Sequence, residues 1–146
     1  MLRISNLRLT GQHDLSPVDC ARAVSDTISS LPLFCDLLTH IPLSLEADVN
    51  LERARRYKAN SFAAYDVIVG ALSTVSTMSA DQVEQLIAAA LGLTANLWQL
   101  AHPTATLKQL YREVPRWGHT ALGFEERLTR LLEATAIGLA VARSLD

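Results

Sequence analysis

The stretch from Ser79 to Ala101 restricts the possible folds most sharply. Ser79-Ala-Asp-Gln82 is a capping box, in which the serine hydroxyl satisfies the amide of Gln82 while that side chain reaches back to Ser79, so a helix starts at Ala80. It carries Val83, Leu86, Ile87, Ala90, Leu91, Thr94, Leu97, Trp98 and Ala101, and it is also apolar at Ala88, Ala89, Leu93 and Ala95. A helix apolar on nearly every side needs two covering surfaces. Gln85, Asn96, Gln99, His102 and Pro103 punctuate the uncharged run from 85 to 107, which reads as a buried helix and not as a membrane span.

The rest of the chain supplies helices to cover it. Ser16-Pro17-Val18-Asp19 is a start signal, with serine as N-cap, proline at the first helical position and an acid in the first turn. Val18, Ala21, Val24 and Ile28 mark its apolar stripe to about Ser30. A second helix runs from Pro32 to His40 and is expected to end there, because Pro42 lacks an amide and crowds the preceding turn. A loop spans Ile41 to Val49. Asn50 caps a third helix to about Thr77, with a stripe of Leu51, Ala54, Tyr57 or Lys58, Ser61, Phe62, Tyr65, Ile68, Val69 and Leu72 expected to face the core.

Pro103 stops the fourth helix, Thr104 caps a short one through Glu113, and Val114 to Gly118 reads as a break. The last helix spans roughly Phe124 to Ser144, with Leu128, Leu131, Leu132, Thr135, Leu139 and Ala142 on one face. Ala134, Gly138 and Ala142 form a row of small residues one turn apart. Without strand-like alternation after residue 15, the expected fold is all-α, an antiparallel bundle of about six helices. Residues 1–15 read as an arm or the remnant of a preceding helix, and residues 16–146 as one helical domain.

Composition excludes several functions. The chain has 146 residues, a formal net charge of −2 and 19% charged residues, and its pI is about 6.1. That is a globular composition without the basic field of a DNA-gripping protein. Cys20 and Cys35 stand apart from any metal-spaced partner, and the N-terminus lacks a secretory h-region, so a cytoplasmic protein without metal or cofactor is expected. No Gly-rich phosphate loop, His-Glu-x-x-His pattern or nucleophile elbow occurs, so no catalytic residue is assigned and no enzyme is expected. His13, His40, His102 and His119 are too scattered for a metal site. Arg53, Arg55, Arg56 and Lys58 read as a solvated face.

Residues 31–46 (LPLFCDLLTHIPLSLE), 50–53 (NLER) and 96–103 (NLWQLAHP) resemble the C-terminal region of TetR-family transcriptional regulators. The resemblance covers roughly residues 16 to 144. It implies an effector-sensing and dimerisation domain that binds a small, often hydrophobic ligand and forms a homodimer through a four-helix interface. By the same resemblance, helix four and the last helix carry the interface, with Leu131, Ala134, Gly138 and Val141 at its centre. Phe34, Leu38, Phe62, Tyr65, Trp98 and His102 lie on helices that surround the family's central cavity. The resemblance also implies a preceding helix-turn-helix head of about 45–50 residues, which residues 1–15 are too short to supply. DNA is therefore a partner only through such a head.

Two further readings stay open on sequence grounds. One is a standalone helical dimerisation or protein-interaction module that pairs with a full-length relative. The other is a small helical enzyme, which needs titratable groups converging in one cavity.

Overall fold

The computed structural model describes residues 14–44, 50–121 and 123–142. Six α-helices follow in order: α1 (Pro17–Ser29), α2 (Pro32–Ser44), α3 (Leu51–Val75), α4 (Ala80–Ala101), α5 (Ala105–Glu113) and α6 (Phe124–Ala142). A 3-10 turn, Pro115–Ala121, joins α5 to α6. Among the described residues there is no strand; one isolated parallel bridge pairs Leu15 with Ser76. Leu15 donates its amide to the Val75 carbonyl at 2.7 Å and accepts from the Thr77 amide at 3.0 Å, which clips the chain before α1 to the α3–α4 corner.

Four helix starts form as their sequences dictate. The side chains of Ser16, Asn50, Ser79 and Thr104 accept from the backbone amides of Asp19, Arg53, Gln82 and Leu107. These are the donors that the first turn of any helix leaves without an internal acceptor. At Ser79 both halves of the capping box are made. Gln82 does more than close it. Its Nε2 reaches across to donate to the Leu139 carbonyl at 2.8 Å, tying the start of α4 to the end of α6.

The core gathers on α4, against which α1, α2, α3 and α6 all pack. Val83, Leu86 and Ala90 of α4 are fully buried, as are Leu128, Leu132 and Ala136 of α6 and Cys20 and Ala21 of α1. Neighbours within the same chain therefore take up most of α4's apolar surface. The α1–α6 contact also carries polar cross-links: Arg22 Nε to Glu133 Oε1 at 2.6 Å and Ser25 Oγ to Thr129 Oγ1 at 2.7 Å. Ser25 is fully buried, so its hydroxyl bond fixes the relative position of the two helices as well as satisfying the group.

Two expectations need correction. Helix two does not end at His40; it runs through Pro42 to Ser44. Proline this near a helix end forfeits one amide bond while its fixed φ remains helical, so the turn survives. The expected break at Val114 to Gly118 is present, and the 3-10 turn from Pro115 fills it between α5 and α6. The expected core stripe of helix three is buried only at its lower end, Val69 and Leu72. Leu51 and Phe62, N-terminal to the Tyr65 hydroxyl that bonds to α4, are 66 and 61% exposed, and Ile68 is 44% exposed because it is turned about 100° from Val69 on the helix. The arm up to His13, the chain from 45 to 49 and the expected end of the last helix at Ser144 lie outside the described residues.

Candidate functional site

Helix α6 has two apolar faces, set by residues three and four apart. Leu128, Leu132 and Ala136 point into the core. Opposite them, Leu131, Ala134, Gly138 and Val141 are all exposed, and Ile137 shares their face at 50% exposure. A Cβ placed on Gly138 meets nothing within 4 Å. The exposed line of α4 likewise has small residues at its middle, Ala88 and Gly92, flanked by Gln85, Asn96 and Gln99. Sequence reasoning missed Ile137, which stands outside the small-residue row; its exposure depends on where α1 and α4 sit. The signal that identifies it is its spacing from Ala134 and Val141.

Of the six pocket candidates, the structure brings two into contact. Trp98 stacks on His102 with ring centroids 3.9 Å apart and planes tilted by 32°, and Phe124 meets the Trp98 ring edge-on at 5.0 Å. His102 Nδ1 lies 2.9 Å from the Trp98 carbonyl oxygen. A carbonyl only accepts, so Nδ1 carries the hydrogen there. His102 also caps α4 through its backbone amide, which donates to the Trp98 and Gln99 carbonyls.

The other four are arranged differently. Tyr65 is partly buried against the core and donates its hydroxyl to the Glu84 carbonyl at 3.0 Å. Burial, with the charges of Glu84 and Asp66, pushes its phenol pKa above the ordinary value. Leu38 is half-buried on α2. Phe34 and Phe62 are 38 and 61% exposed and are therefore not enclosed. A shallow, open depression lies elsewhere, along the first turns of α6 from Gly123 to Arg130.

The chemistry available is sparse. Burial raises the pKa of both Cys20 and Cys35, which keeps the thiols protonated and unreactive. Among the described residues no group of three His, Cys, Asp or Glu side chains is placed to hold a metal ion. No described helix is long and apolar enough to cross a membrane.

The architecture defines the class: an all-α domain organised on a central helix, with a second apolar face left on its last helix. The chain belongs to the family of tetracycline repressor-like C-terminal domains, whose profile matches residues 5–143. Such domains serve transcriptional regulators as their ligand-binding and dimerisation part. No curated protein matches the chain.

Proposed function

We propose that this chain is the effector-sensing and dimerisation domain of a TetR-type regulator, non-catalytic and cytoplasmic, with DNA reading left to a separate helix-turn-helix head. Two copies join through α4 and α6 about a two-fold axis, so that Leu131, Ala134, Gly138 and Val141 meet their own equivalents. A small, predominantly apolar molecule is sensed by the region of Phe34, Leu38, Phe62, Tyr65, Trp98 and His102. The observation that carries this reading is the second apolar face of α6, because five contiguous small or aliphatic positions on a soluble helix are otherwise left in water.

A second reading, a helical module that dimerises and binds proteins without sensing a ligand, draws support from the exposure of Phe34 and Phe62. Native mass spectrometry of the purified chain separates the two. A dimer that retains a small-molecule mass is the expected result. A dimer that carries no added mass after incubation with apolar ligands favours the interaction module, and a clean monomer overturns both.

A further inference from the structure

One line along α3 contains Leu51, Arg55, Lys58, Phe62, Tyr65, Val69 and Leu72, spaced four and three apart and hence on a single helix face. Its lower end is built into the protein: Val69 and Leu72 are buried, and Tyr65 is anchored to the Glu84 carbonyl. Its upper end, from Leu51 to Phe62, is exposed. The two polar members of that upper end are both cations. Neither Arg55 nor Lys58 has an ion-pair partner among the described residues. A stripe meant only for an apolar partner helix does not place two unpaired cations in its middle, since covering them without counter-charge is costly.

We propose that this face binds an amphipathic anion, an apolar chain with a carboxylate or phosphate head. The head pairs with Arg55 and Lys58, and the chain lies down α3 over Phe62 toward Tyr65. The ten steps of rise from Arg55 to Tyr65 span about 15 Å of helix, the length of a medium acyl chain. This rests on the small-molecule reading of the domain and names the ligand's class. Arg53 and Arg56 project from the other side of α3 and take no part.

The test is fluorescence titration of the full chain with a dansyl-labelled undecanoic acid and with its uncharged methyl ester, with dodecanoate and dodecyl phosphate as competitors. The acid is expected to bind at least about tenfold tighter than the ester, as one charge-assisted contact implies. The double variant Arg55→Glu, Lys58→Glu removes that preference and leaves ester binding intact, while Arg53→Glu, Arg56→Glu changes neither. The stronger competitor identifies the head group as carboxylate or phosphate. Equal binding of acid and ester, or equal loss in both double variants, overturns the anion assignment but leaves a small-molecule sensor. Failure of both probes to bind overturns the assignment, while the sensor reading is decided separately by whether the native mass spectrum retains a small-molecule mass.

Discussion

Gly138→Leu is expected to convert the proposed dimer into a monomer without harming the fold. Three features make the substitution diagnostic. The position is exposed, and an added Cβ meets nothing within 4 Å in the single chain, so the monomer has room for the new side chain. Replacing glycine by leucine inside a helix also favours the helix, by roughly 0.5–1 kcal/mol. At the proposed two-fold interface, however, the leucine would appear twice at the point of closest approach. Overpacking costs about 1–3 kcal/mol per site. Two sites weaken association by roughly thirtyfold or more, at about 1.4 kcal/mol per factor of ten. Sedimentation equilibrium of both proteins measures this, with circular dichroism confirming that helix content is kept. A variant that dimerises like the parent would remove Gly138 from the interface.

Leu132→Ala is expected to have the largest effect on stability. Leu132 is fully buried on the face of α6 that serves the core, and both α1 and α4 pack on that helix. Truncating such a side chain costs about 2–5 kcal/mol, because the lost transfer energy is compounded by the cavity left behind. A domain of this size loses roughly 2–4 °C of Tm per kcal/mol, which places the expected drop at about 4–20 °C. Its neighbour Leu131 is 41% exposed and belongs to the other face. Leu131→Ala is therefore expected to leave the melting of the monomer nearly unchanged while weakening dimerisation. Thermal unfolding at one fixed protein concentration, in the presence and absence of Gly138→Leu, separates the two effects. A Tm drop under 3 °C for Leu132→Ala would contradict the assignment of the core face.

The helices were legible in the sequence wherever a local rule governs them. The caps at Ser16, Asn50, Ser79 and Thr104 are made by the side chains that the spacing singles out, because capping depends only on residues three or four apart. Pro42 shows the limit of such a rule: near a helix end the missing amide is a weak stop, and α2 continues to Ser44. Cross-links of long sequence separation were not legible. Ser25 with Thr129 and Gln82 with Leu139 depend on which helices become neighbours, and periodicity does not report that. The stripe on α3 fails for the same reason. Its spacing identifies a face, yet only the position of α4 decides that Val69 is covered and Phe62 is not. The two faces of α6 follow from spacing too, but only packing tells which of them, Leu132's or Leu131's, turns inward.

The outer face of α6 is proposed to meet a second copy of itself. The most direct measurement is disulfide trapping, with cysteine placed singly at Leu131, Ala134, Gly138 and Val141 under mild oxidation and Arg53→Cys on α3 as control. The native thiols of Cys20 and Cys35 are buried and do not compete. Disulfides need Cβ atoms roughly 3.5–4.5 Å apart, so only positions close to the two-fold axis cross-link efficiently. The expected result is a covalent dimer from at least one of the four α6 positions and none from Arg53→Cys. Monomer from all four, or cross-linking no better than the control, would show that the exposed face of α6 is not where this chain pairs.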